Sequence, residues 1–130
     1  MEIIDKELLD RITNKAELSP RLRMNYNFHE SPEAKSQRLL NALEPGTDVP
    51  VHRHRHSDET YIIIRGSMEV FLFDDNKELI ESVTLNPMEE KHGVNIPAGQ
   101  WHTLKVLEPG TMIFEVKDGP YTPLQAEDML

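Results

Sequence analysis

The chain has no cysteine, and only four phenylalanines, three tyrosines and one tryptophan among its 130 residues. Without thiols it can build neither a disulfide framework nor a thiolate metal site, so any ion must be held by imidazole and carboxylate. Basic residues are also in short supply: 14 Lys and Arg face 23 Asp and Glu, a formal net charge of −9. That balance repels phosphate backbones, and few aromatics stand near Arg53, Arg55 and Arg65 to stack bases. Nucleic acid is not expected as a partner. No run of apolar residues approaches the ~18 that would span a bilayer, and the acidic opening MEIIDKELLD lacks the basic and then apolar pattern of a signal peptide. The expectation is a cytoplasmic protein with no membrane partner, of a length that fits one domain.

What is present is a series of short extended segments. Residues 5–14, DKELLDRITN, carry Leu8, Leu9 and Ile12 at helical spacing behind an Asp in cap position, which predicts one short amphipathic helix. Residues 22–29 then alternate, with Leu22, Met24, Tyr26 and Phe28 on one face and Arg23, Asn25, Asn27 and His29 on the other. SPEAKS opens a helical turn, QRLLNAL returns to extended chain, and from residue 44 turn signals recur every 8 to 12 residues. Between the turns lie TYIIIR, SMEVFLF, LIESVTL, HTLKVL and TMIFEV, rich in β-formers. Many short strands must dispose of their edges, so the pattern argues an all-β, closed or sandwiched antiparallel fold. The pentapeptide LEPGT occurs twice, at 43–47 and 107–111. It is read either as coincident Pro-Gly turn chemistry or as equivalent corners of two sheets.

The stretch VHRHRHSDET, residues 51–60, holds three of the six histidines. In an extended strand His52 and His54 project to one face while Arg53 and Arg55 point away. His56, Ser57 and Asp58 have turn composition, so the chain can reverse and bring Glu59 beside the two imidazoles. His102, after the PAGQW turn, starts the run His102, Leu104, Val106 and is the best distant fourth ligand. Two His and a carboxylate leave coordination positions open for water or substrate. Three alternatives stand beside this one: a solvated His/Arg strand face, a site shifted to His54 and His56, and Glu59 as a structural partner of Arg65. His92, in the polar loop EEKHGV, reads as a surface residue.

The spacing Gly46, His52, His54, Glu59, Gly66 reproduces the first cupin motif, G-x5-HxH-x3,4-E-x6-G, at every position. Pro97, Gly99 and His102 match the centre of the second, while Lys91 and Val106 stand where that motif has Gly and Asn. Over residues 19–121 the chain resembles the WbuC family of small cupin-fold metalloproteins, through SPRLRMNYNFH, QRLLNALEPGT, HRH, ETYIIIRG, IPAGQWHT and IFEVKDGPY. The resemblance implies a jelly-roll barrel of six to eight strands with one metal inside, and a genomic association with surface polysaccharide synthesis. The expected layout is an N-terminal helix and strand over 1–30 packed on the barrel, the barrel over 31–121, and a tail over 122–130.

Together these readings predict a protein holding one divalent transition ion through His52, His54, Glu59 and His102. A three-nitrogen, one-oxygen set suits zinc, iron, manganese or nickel without choosing among them. The partner is then a sugar-related or carboxylate small molecule. The ion serves an isomerase or epimerase, a dioxygenase, or a non-catalytic binding module. The row Arg23, Asn25, Asn27 and His29 is a substrate-binding candidate, since Asn is depleted in exposed strands and here stands in register with a guanidinium fork. The unbroken run Tyr61 to Ile64 predicts burial on both faces of its strand, hence a cover by the N-terminal helix or by a second copy in a homodimer.

Overall fold

The computed structural model describes residues 1–130. One helix, α1 (Lys6–Leu18), is followed by eight strands: β1 (Arg23–Asn27), β2 (Ser36–Leu43), β3 (Glu59–Arg65), β4 (Met68–Phe73), β5 (Leu79–Leu85), β6 (Gly93–Ile96), β7 (Trp101–Val106) and β8 (Thr111–Asp118). They form a five-stranded sheet in the order β1-β2-β8-β3-β6 and a three-stranded sheet in the order β5-β4-β7, and every pairing is antiparallel. This is the jelly-roll with a short N-terminal helix that the sequence predicts. No helix is long and apolar enough to cross a membrane.

Alternation explains where the core sits. Inward residues of both sheets, among them Leu43, Tyr61, Ile63, Met68, Val70, Val106 and Ile113, are buried against one another between the layers. The outer face of the larger sheet is covered by α1, whose Leu8, Leu9, Ile12 and Ala16 pack on Leu40, Ala42 and Met112. Each of the three large helix side chains contributes roughly 2 kcal/mol by leaving water. Asp5 caps α1 by accepting from the Leu8 amide at 3.0 Å, as its position predicts. The helix runs four residues beyond the expected 14, through the good helix formers of KAEL, and stops before Pro20.

Three local expectations are corrected. β1 begins at Arg23, because Leu22 is left-handed at φ 55° and stands outside the strand. β6 is not expected from the sequence: four residues containing a Gly and an Asn carry little strand signal. Ile62 and Ile64 are not buried but 44 % and 36 % exposed, because α1 covers β1, β2 and β8 and stops short of β3.

The two LEPGT turns lie together at the ends of neighbouring strands, with Leu43 opposite Thr111. The Glu44 carboxylate of the first accepts from the Gly110 amide of the second at 2.7 Å. Gly110 has φ +75° with open space where a Cβ would go, whereas Gly66, at φ +81° between β3 and β4, faces the Thr111 backbone 2.7 Å from that point. Gly110→Ala should therefore cost only the left-handed penalty of about 1–2 kcal/mol, and Gly66→Ala about 3 kcal/mol or more, because overpacking is added. Urea denaturation of the two variants checks the difference, and equal losses would refute the role given to close approach.

Candidate metal centre

The site starts from a single reciprocal backbone pair. The His52 amide donates to the His102 carbonyl at 3.0 Å and the His102 amide to the His52 carbonyl at 2.9 Å. This bridge joins the 51–53 segment to the edge of β7 and puts both rings on one face, with centroids 4.3 Å apart. His54, two residues on, shares that face at 5.1 Å from His52. The turn at Pro97–Gly99 anchors the chain on either side of the reversal: the Gly99 amide donates to the His54 carbonyl at 2.8 Å, and Asp58 accepts from the Ala98 amide at 2.9 Å. The reversal at 56–58 delivers Glu59 as the first residue of β3, facing inward. One potential ligand atom from each of His52, His54, Glu59 and His102 lies within 4.8 Å of the others.

Hydrogen bonding on the far side of two rings decides what those atoms can do. His52 Nδ1 lies 2.8 Å from the Pro50 carbonyl and His102 Nδ1 2.9 Å from the Gln100 carbonyl. A carbonyl only accepts, so each Nδ1 carries the hydrogen and each Nε2 of the neutral ring presents a lone pair. Burial, followed by the neighbouring His102, pushes His52 down to about 4, so it is neutral at pH 7. His102 Nε2 lies 3.4 Å from Glu59 Oε1, where it can hold either a proton shared with that carboxylate or a metal ion. Glu59 is 3 % exposed, with His54 Nε2 3.1 Å from its other oxygen. Burial alone would raise this carboxyl, but His102, His54 and the Tyr61 hydroxyl, which donates to Glu59, outweigh it and hold the group well below its usual range. Positive charge, whether protons on the imidazoles or a metal ion, is what stabilises this buried carboxylate, and four donor atoms within 4.8 Å of one another fit a divalent ion that takes the place of those protons.

The remaining candidates fall elsewhere. His56 and His92 are exposed, and the His92 carbonyl serves only to accept from the Ile63 amide at 2.8 Å. Arg65 turns to Asp10 and the Gly110 carbonyl rather than to Glu59. The register puts Arg23, Asn25 and Asn27 on the same face of the sheet as Glu59. Their strand is three places from β3, however, a lateral distance of roughly 14 Å. Arg23 is used in holding the loop before the histidines, through Thr47 Oγ1 at 3.3 Å and the Asp48 carbonyl at 2.7 Å. His29 accepts from the Arg38 amide at 3.1 Å, and Asn25 and Asn27 are exposed. The structure does not bring this row to the histidines.

Three residues that sequence reasoning left undecided or overlooked do approach the site. Lys117 Nζ stands 3.9 Å from Glu59 Oε2. Glu115, opposite Tyr61 in the register, accepts from Asn41 Nδ2 at 2.8 Å, and burial together with the Glu59 charge raises it to about 7. Asn41 Oδ1 is buried without a partner. The available signal was in IFEVKD, where charges occupy the inward positions of a strand whose alternate residues should be apolar.

The His52 shift has a consequence for stability. Its folded value of about 4 lies below the 6.5 of a free imidazole, so the unfolded chain takes up this proton first as pH falls. Metal-free protein should therefore lose about 3 kcal/mol from this residue between pH 6.5 and 4, and nothing from it above that window. Urea titrations of chelator-treated protein across this range check it: His52→Gln should remove that share of the slope, and an unchanged slope would refute it.

The fold and site can be set beside known proteins. The structure is similar to KdgF from Halomonas sp., at 19 % identity and TM-score 0.59 over 78 % of this chain and 82 % of that one. It is similar to the capsular polysaccharide assembling protein CapF from Staphylococcus aureus, at 19 % identity and TM-score 0.60 over 85 % of this chain and 29 % of that one. It also resembles a mutant of Bacillus subtilis oxalate decarboxylase OxdC, at 22 % identity and TM-score 0.59 over 77 % and 26 %. The chain thus spans less than a third of the length of CapF or OxdC, and at these identities the likeness establishes the cupin fold alone. No curated protein sequence matches it. A family model described as a domain of unknown function, DUF6016, matches residues 4–85, more than half of the chain. The protein accordingly belongs to the DUF6016 family and has the fold of the cupin superfamily.

Proposed function

We propose that the protein binds one divalent transition ion through His52, His54, Glu59 and His102 and uses it to bind or convert a sugar-related or carboxylate small molecule. The observation that carries this reading is the pair of Nδ1–carbonyl bonds, which leaves Nε2 of His52 and of His102 as the ligand atoms beside a buried carboxylate. When bound, the ion supplies Lewis acidity toward a carbonyl or hydroxy-acid oxygen, or a site for oxygen activation. Tyr61, held as the phenol by burial and by the Glu59 charge, keeps its hydrogen on Glu59 and orients that carboxylate. Glu115, raised to about 7, exchanges a proton near neutrality, which suits isomerisation or epimerisation. The chemical class of the partner is supported by the roles that two structural neighbours are named for, one assembling capsular polysaccharide and one decarboxylating oxalate. The WbuC-like motifs favour the first, and with it a place in surface polysaccharide biosynthesis.

Elemental analysis of protein purified without added metal or chelator should find one transition ion per chain. Alanine at His52, His54, Glu59 or His102 should weaken its retention on the order of 100-fold or more, beyond what loss of an outer-shell partner does, while His56→Ala retains it. Equal loss at His56 and His52 would overturn the ligand set.

The exposed Ile62 and Ile64 support the homodimer as part of the same proposal. Light scattering should give twice the 15.0 kDa chain mass, reverting to a single chain in Ile62→Glu/Ile64→Glu. A single-chain mass at all concentrations would remove it.

A further inference from the structure

The C-terminal segment builds a second wall beside the histidines. After β8 the chain returns across the molecule, and its end is fastened to the extended segment that bears His52 and His54. The Arg53 amide donates to the Asp128 carbonyl at 3.0 Å and the Leu130 amide to the Val51 carbonyl at 2.8 Å. The Nε atoms of Arg53 and Arg55 both donate to Asp128 Oδ1, at 3.0 and 2.6 Å. The arginines that alternate with the ligand histidines thus hold the tail in place. Between this clasp and β8 lies a cavity of about 320 Å³, within the size range of small-molecule sites. Of the four ligand residues it is His54 that lines it, with a side chain 17 % exposed, while His52, Glu59 and His102 are buried.

Charges of both signs line the cavity, and of its cations Arg53 and Arg55 are tied to Asp128. Lys117 lines it, its side chain 17 % exposed and its ammonium 3.9 Å from Glu59. Its other acidic groups besides the clasped Asp128 are Asp118 and Glu127, both exposed at the rim. Tyr121, whose ring centroid is 5.9 Å from Lys117 Nζ, and Pro120 give an apolar wall between the two ends. With both arginines paired to Asp128, a carboxylate is attracted to the Lys117 ammonium and repelled by Asp118 and Glu127, whereas hydroxyls find acceptors on those two exposed acids. From this arrangement we infer that the cavity is the ligand site of the metal centre and takes a small hydroxylated carboxylate, carboxylate end inward, with Lys117 selecting the charge. The inference rests on the proposed metal centre for the ion's place but not for the cavity itself.

Ligand-observed NMR on the full chain loaded with cobalt(II) tests it, with gluconate, glucose and butyrate as probes carrying both features, hydroxyls only and carboxylate only. Gluconate should be broadened by the ion and bind at least tenfold more tightly than either of the others. Lys117→Met should reduce it to the level of glucose without changing glucose or cobalt content, and Lys117→Arg should restore the preference. Melting temperatures within a few degrees of the parent exclude misfolding as the cause. If gluconate binds no better than glucose, or Lys117→Met leaves its affinity intact while cobalt is held, the cavity assignment is overturned and the metal centre stands. If the chain holds no cobalt, the metal reading fails. Saturation transfer to gluconate from the metal-free chain then decides the cavity, lost in Lys117→Met if the assignment is right and absent or unaltered if it is wrong.

Discussion

A carboxylate with 3 % exposure, surrounded by imidazole nitrogens, is the constraint on which the rest of the structure turns. An unpaired charge in such a place costs several kcal/mol, and only positive charge among the surrounding nitrogens, as protons or as a metal ion, relieves that cost. Each surrounding feature acts on this one problem. The carbonyls of Pro50 and Gln100 choose the tautomers, the Tyr61 hydroxyl takes one side of Glu59, and Lys117 stands at the outer edge. The remaining space among four donor atoms has the chemistry of a cation site, because only a positive charge makes all of these contacts favourable together.

Holding four donors in place requires both sheets and the tail. The His52–His102 bridge fixes two rings by backbone bonds alone, which leaves little freedom beyond side-chain rotation. The Pro97–Gly99 turn anchors His54 and Asp58 from one side, and the Asp128 clasp grips Arg53 and Arg55 from the other. The two arginines that alternate with the ligand histidines are therefore part of the site's support. Arg53 also lies 4.5 Å over the Trp101 ring, so the residue before His102 is packed against the residue after His52. The segment that carries His52 and His54 is braced from both sides.

The segment that carries the histidines is no strand, only an extended stretch bridged at His52, yet it was legible because its information is local: period-two alternation orients His52 and His54 together, and a turn tripeptide reverses the chain before Glu59. His102 was legible for the same reason, as an inward residue just after a Pro-Gly turn. What escaped the sequence depends on distant chain. The Asp128 clasp joins residues 73 and 75 apart, and nothing in the composition of either partner names the other. The polar row of β1 was placed on the correct side of its strand, yet its separation from β3 comes from strand order, which alternation does not encode. Ile62 and Ile64 show the same limit: an apolar run records that a surface can be buried, not that this chain supplies its cover.

The inner face of the large sheet also grades from polar to apolar, and the direction is the same on adjacent antiparallel strands. β3 reads Glu59, Tyr61, Ile63 in chain order, while β8 reads Ile113, Glu115, Lys117, so their register sets charge beside charge and isoleucine beside isoleucine. One end of the interior is consequently sealed by Ile63, Ile113, Leu43, Met68 and Val106, each at most 5 % exposed. The other end gathers every buried ionisable group of the site. Hydrophobic burial at the sealed end offsets the desolvation of Glu59 and Glu115 at the polar end. A chain with both kinds of residue mixed along each strand would have neither a dry core nor a concentrated field. Segregating them by register gives one fold a stable half and a chemically strained half, and it is the strained half that opens toward the cavity beside His54.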